Sequence, residues 1–178
     1  MVRSTAMILC AGALVMATSG CSADETALPD QLRDPCALLP ADLLGRLAPG
    51  ARPSASANLG DRSGSRECAV DLTSGTSMRG DLVVTVSVDA EGMYDDAWRQ
   101  DRCARIAAEE TTAGPGDRSC AAVRPWDGGE TRFDAWAWRG DRYQVRVAYQ
   151  VVQPQTLPPD AEADLREVLD QAIRSLPD

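Results

Sequence analysis

Two residue types central to enzymatic chemistry, histidine and lysine, are missing from this chain. Its 178 residues include no histidine, and all 18 basic residues are arginine. Without histidine, a Ser-His-Asp or Cys-His mechanism is excluded, as is a histidine-ligated metal site. Without lysine, the Walker phosphate loop, Schiff-base catalysis and Ser-Lys pairs are excluded as well. Carboxylates remain. Asp95-Asp96 and Glu109-Glu110 are adjacent pairs, but neighbours on a helix point in different directions, so both read as solvated surface. Asp134 falls on the apolar phase of a strand, where a buried carboxylate needs a partner such as an arginine. It reads as a structural ion pair, and a carboxylate-dependent hydrolase ranks third among the functions weighed.

Two further patterns have functional and structural readings. Arg79-Gly80-Asp81 and Arg139-Gly140-Asp141 repeat an adhesion tripeptide, but both fall at expected hairpin turns, where Gly-Asp has an ordinary geometric reason. Trp126, Trp136 and Trp138 place three of the four tryptophans within 13 residues. Stacking on a sugar ring is the functional reading. Alternation puts Trp136 and Trp138 inward, which favours core packing.

Six cysteines complete the set. Cys10 sits in the apolar leader and Cys21 just after it. Cys36, Cys68, Cys103 and Cys120 remain, an even number in an exported domain, which reads as two disulfides. Of three connectivities, Cys36–Cys68 and Cys103–Cys120 are favoured because each joins neighbouring elements. A four-cysteine zinc site is disfavoured by the lack of any C-x-x-C pair, and neither metal nor cofactor is expected.

The leader explains the compartment. Arg3 is the only charged side chain before Asp24, and Ala6 to Ala17 is an apolar run of 12 residues. At about 1.5 Å per residue it is too short to cross a core of about 30 Å, and it has the form of a secretory signal peptide. The residues Thr18-Ser19-Gly20-Cys21 resemble a bacterial lipoprotein lipobox, with Thr18 where that pattern prefers Leu. The resemblance implies cleavage after Gly20 and lipidation (diacylglyceryl and palmitate-type acyl chains) on Cys21. The chain then divides into a signal peptide (1–20), a lipidated cysteine and spacer (21–33), and one domain (34–178). Net charge is −9, and −10 once Arg3 leaves with the leader. That balance argues against nucleic acid or an anionic surface as partner, because both need a positive patch.

The domain must position whatever it binds with few elements. Pro40 opens a short helix with Leu43, Leu44 and Leu47 on one face, ended by Pro49-Gly50. Residues 51–65, rich in Ser, Gly, Ala and Arg, read as a mobile loop. Cys68, Val70 and Leu72, then Leu82, Val84, Val86 and Val88, alternate as two strands of a hairpin. A weak helix is expected over 93–110. Strands follow at 120–126, 131–138 and 143–152. A two-residue turn at Gly140-Asp141 would set Trp138 opposite Tyr143, Trp136 opposite Val145 and Asp134 opposite Val147. Trp136, Trp138 and Tyr149 would then share the core face. Phe133, Ala135 and Arg146 would share the other, which becomes the candidate ligand face. A last helix, with Ala161, Leu165, Val168, Leu169, Ala172, Ile173 and Leu176 at helical spacing, should cover the tryptophan face. The expected fold is α+β: an antiparallel sheet of about five strands backed by helices, order α-ββ-α-βββ-α, stapled by disulfides.

Three features together resemble a known family. They are the leader ending Ser19-Gly20-Cys21, the segment Asp34-Pro35-Cys36-Ala37-Leu38-Leu39, and a second cysteine, Cys68, opening a strand. The combination is similar to actinobacterial exported lipoproteins that share a domain of unknown function starting D-P-C-x-L-L. Gly114-Pro115-Gly116-Asp117 looks like the G-x-G-D turn of related mycobacterial-type lipoproteins. The resemblance implies a membrane-attached α+β module and carries over no catalytic residue. The expected function is a non-enzymatic module on the outer face of the cytoplasmic membrane that binds a small ligand, an envelope component or a protein. The alternative is a sensory or accessory domain working beside a membrane protein partner.

Overall fold

The computed structural model describes residues 28–72, 80–126, 130–152 and 157–177. The leader, Cys21, the first part of the spacer and the Asp127-Gly128-Gly129 turn lie outside the described residues. So does Arg79 of the first Arg-Gly-Asp tripeptide. Among the described residues no helix is long and apolar enough to cross a membrane.

The fold is α+β. Six antiparallel strands, β1 (Pro53–Leu59), β2 (Ser63–Asp71), β3 (Gly80–Asp89), β4 (Arg118–Trp126), β5 (Glu130–Arg139) and β6 (Tyr143–Val152), form one sheet. The spatial order β1-β2-β3-β6-β5-β4 sets two three-strand meanders side by side, joined where β3 pairs with β6. Helices α1 (Ala41–Leu47) and α3 (Ala161–Arg174) cover one face, and α2 (Asp96–Arg105) lies on the other, over the second meander.

The main core lies under α1 and α3. Leu82, Val84, Val86 and Val88 of β3 meet Tyr143, Val145, Val147 and Tyr149 of β6, then Phe133, Ala135 and Ala137 of β5, all buried. From α3, Leu165, Val168, Leu169, Ala172 and Ile173 close over them. The Tyr149 hydroxyl donates to the Leu47 carbonyl at 2.5 Å, satisfying a buried acceptor at the end of α1.

Both expected disulfides are formed, and they pin opposite faces. Cys36–Cys68 ties a 3-10 turn (Pro35–Leu38) to the core side of β2. Cys103–Cys120 ties α2 to β4 on the other side. The D-P-C-x-L-L segment has a local logic: the Asp34 carboxylate accepts from the Cys36 N–H at 2.9 Å, Pro35 starts the turn, and Leu39 is buried. Gly116 is held at a φ of +71°, with space for a Cβ only 2.4 Å from the Trp138 carbonyl. The following Asp117 accepts from Gly140 N at 2.7 Å, tying the G-x-G-D turn to the β5–β6 hairpin.

Four expectations need correction. Residues 51–65 are not a loop: Pro53–Leu59 pairs with β2 along its whole length while every residue stays exposed. An edge strand exposed on both sides has no reason to alternate apolar and polar residues, so its pattern was invisible, and the sheet has six strands where about five were expected. The helix over 93–110 shortens to Asp96–Arg105, started by an Asp95 side chain that accepts from Trp98 N at 2.9 Å. The packed domain begins before residue 34. Leu28–Gln31 forms a 3-10 turn and Leu32, assigned to the spacer, is buried in the main core.

The fourth correction governs the site. The β5–β6 register pairs Arg139 with Tyr143, Trp138 with Gln144, Trp136 with Arg146 and Asp134 with Ala148. The connection therefore holds three residues, Gly140 to Arg142, with Gly140 at a φ of +58°. A shift of one residue moves every side chain to the opposite face. Phe133 and Ala135, placed on the candidate ligand face, are fully buried in the main core, whereas Arg146 points to the side of Trp136 and Trp138. The helix α3 covers the Phe133 face, not the tryptophan face.

Candidate functional site

The second face of the sheet can be read in rungs that cross the strands. One rung runs Asp81, Gln150, Arg132, Arg124. The next runs Val83, Ala148, Asp134, Ala122, and the third Thr85, Arg146, Trp136, Cys120. Three arginines from three adjacent strands thus surround Asp134. Its carboxylate, 2% exposed as a residue, lies 2.6 Å from Arg132 Nε, 3.2 Å from Arg146 Nη2 and 3.9 Å from Arg124 Nη2. The expected ion pair of Asp134 is present, as a cluster rather than a pair.

Helix α2 roofs this cluster. Trp98, Arg102 and Arg105 fall at i, i+4 and i+7, so they project to one side. Buried Tyr94, Cys103 and Ile106 form a small second core with Cys120 and Trp138, which seats the helix. Arg102 stacks on Trp98, 4.1 Å from the ring centroid, and lies 5.8 Å from that of Trp136. Arg146 lies 5.2 Å from the same Trp136 ring. The Gln144 side-chain oxygen accepts from both Trp98 Nε1 at 2.8 Å and Trp138 Nε1 at 3.1 Å, joining roof to sheet.

Between roof and sheet is a cleft of about 220 Å³. Five arginines, Arg102, Arg105, Arg124, Arg132 and Arg146, line it with Asp134, Trp136 and Ile106. Arg105 is largely exposed at the rim of the cleft and is paired with Asp101 at 2.8 Å. Arg102 has no carboxylate within 4 Å among the described residues. Its Nε, with Arg146 Nε and Trp136 Nε1, is buried and without a hydrogen-bond partner there. Buried donors without acceptors are rare, and three around one hollow define a place that wants an acceptor. Asp81 borders the cluster. Burial holds its carboxyl above the usual aspartate range, against the opposing pull of Arg132 and Arg146.

A larger hollow of about 710 Å³ lies along β4 beside α3, lined by Glu109, Thr111, Gly114, Arg166, Glu167 and Asp170 among others. Its charges are of mixed sign and Arg166 is already paired with Glu162 at 2.8 Å. Size alone does not make it the better candidate: converging donors distinguish the smaller cleft.

Of the residues singled out from sequence, Cys36, Cys68, Cys103 and Cys120 are structural cross-links. Arg146 is in the cleft, Phe133 and Ala135 are core, and Cys21 lies outside the described residues. Sequence reading missed Arg102, Arg105, Arg124 and Arg132. The available signal was the alternation Arg132, Asp134, Trp136 on one strand with Arg146 on the next, legible only in the correct register. No protein-family model, no curated protein and no solved structure matches this chain.

Proposed function

We propose that this protein is an exported lipoprotein, held on the outer face of the cytoplasmic membrane through Cys21, whose α+β domain binds an anionic ligand in the arginine cleft. One observation carries the binding reading: five guanidinium groups converge on a small cleft in a chain whose net charge is −9. Guanidinium forks match carboxylate and phosphate oxygens, and like charges gathered without enough counter-charge are relieved by a bound anion. The reading is of a binding module rather than an enzyme. The cleft is lined by a single carboxylate, Asp134, already engaged by arginines, while carboxylate hydrolysis of glycosides uses two.

The anchor reading rests on the short apolar leader, on Gly20-Cys21 and on the D-P-C-x-L-L segment that resembles actinobacterial exported lipoproteins. Mass spectrometry of the mature protein tests it: the mass should be that of a chain beginning at an acylated Cys21. An unmodified Cys21 would remove the anchor. For the ligand site, titration with small anions should quench or shift indole fluorescence from Trp98 and Trp136. An unchanged spectrum with every anion tried would remove the binding reading.

A further inference from the structure

The charges in the cleft are concentrated on one point rather than spread along a groove. Arg124, Arg132 and Arg146 all bring a nitrogen within 3.9 Å of the same Asp134 carboxylate. Arg102 faces them from the roof, stacked on Trp98. Five guanidinium groups and one carboxylate, that of Asp134, line the cleft, and Asp81 and Asp71 lie beyond its border. The lining itself is therefore strongly positive.

Positive charge focused within a cleft of about 220 Å³ is matched by a compact, multiply charged anion. A dicarboxylate spreads its two charges over separate ends, and a monoanion brings less charge to the same point. A phosphomonoester near neutral pH carries about −1.5 to −2 on one tetrahedral group with three acceptor oxygens. Those acceptors suit the buried Nε groups of Arg102 and Arg146 and the indole N–H of Trp136, each lacking a partner among the described residues. The Trp136 ring and Ile106 supply an apolar wall for the organic part of the ester.

Resting on the anion-binding reading above, we infer that the cleft recognises a phosphomonoester group, whether on a small soluble molecule or on a lipid headgroup. The Arg102 and Arg146 guanidinium groups hold its oxygens, and Trp136 donates the neutral hydrogen bond. Asp134 takes no bond from the ligand: it keeps three arginines aimed at one spot.

The test uses the mature lipidated protein in phosphatidylcholine nanodiscs, read by tryptophan fluorescence. Glycerol 3-phosphate, succinate and glycerophosphocholine (a phosphodiester) are added to the solution in separate titrations, and phosphatidic acid is placed in the bilayer of a parallel sample. A saturable response to glycerol 3-phosphate supports the inference with a soluble ligand, and a response to phosphatidic acid alone supports it with a lipid one. Arg102→Gln should weaken binding at least about tenfold, the weight of one charge-assisted contact. Because Arg102 makes no ion pair within 4 Å among the described residues, this variant keeps the fold, which circular dichroism checks. Arg174→Gln, which alters an exposed pair with Asp170 on α3, should leave affinity unchanged. If succinate or the phosphodiester binds as well as the monoester, the inference fails and the anion-binding reading stands. If no anion binds, both fail.

Discussion

Replacing Cys103 and Cys120 together by alanine removes the covalent link between α2 and β4. The bridge spans 17 residues of sequence. The chain-entropy relation for a closed loop of that length gives about 3 kcal/mol at room temperature. For a domain of this size, each kcal/mol moves the midpoint by about 2–4 °C, so a fall of about 6–12 °C is expected. The effect should not stop at stability. α2 is the roof of the cleft and brings Arg102, Arg105 and Ile106 to it. Without the bridge, the roof is held by the small core around Tyr94, Ile106 and Trp138 and by the Trp98–Gln144 hydrogen bond. Some roof ordering must then occur on binding, so anion affinity should fall even where the domain is fully folded. Differential scanning calorimetry and fluorescence titration on the same preparation measure both. A loss below about 1 kcal/mol, or a melting shift with unaltered affinity, would refute the assignment of α2 as a tethered roof. Removing Cys36–Cys68, which spans 32 residues on the opposite face, should cost somewhat more stability, about 4 kcal/mol. It should leave affinity in the folded state unchanged.

Three other perturbations have defined outcomes. Asp134→Ala leaves Arg132 and Arg146 without their shared carboxylate; with those arginines partly exposed, a loss of about 2–3 kcal/mol by urea unfolding is expected. Tyr149→Phe deprives the Leu47 carbonyl of its donor and should cost about 1–3 kcal/mol. Burial pushes the Tyr149 phenol up to about 12, above the usual tyrosine value of about 10. The folded chain therefore keeps a proton that the unfolded chain loses, and stability should be unaffected below about pH 10 and fall from there toward pH 12. Phenylalanine abolishes that alkaline loss, and an ultraviolet titration in which all three tyrosines ionise together near 10 would contradict the assignment. Burial raises the Asp81 carboxyl above its ordinary value of 3.8, so its contribution to stability is present below that value and lost as pH rises through the raised one. Asp81→Asn should melt higher at pH 7 and bind a dianion more tightly, and weaker binding by this variant would overturn the charge balance drawn for the cleft.

The core strands, the last helix and both disulfides were legible because each leaves a one-dimensional trace. Leu82, Val84, Val86 and Val88 alternate on a strand open on one side. Leu165, Val168, Leu169 and Ile173 repeat with the helical period. Cysteines next to sequential elements pair with few alternatives. The second meander gave an ambiguous trace. Strand β5 is buried on both sides, under α3 at Phe133 and near α2 at Trp138, so apolar residues occupy both phases. The larger tryptophans drew the core to the wrong one. A three-residue rather than two-residue connection at Gly140 then decided the face of every residue in β5.

The sequence by itself determined the chemistry open to this protein. It excluded histidine and lysine mechanisms, confined positive charge to arginine, and marked Cys21 and the four paired cysteines. Those are facts of composition and spacing, which folding does not alter. Only the tertiary structure decided where the arginines go. Arg102 and Arg105 on α2, Arg124 on β4, Arg132 on β5 and Arg146 on β6 are distant in the chain, and each alone is an ordinary surface charge. They converge because antiparallel pairing brings the strands together, one residue of register chooses their face, and the Cys103–Cys120 bridge seats α2 above them.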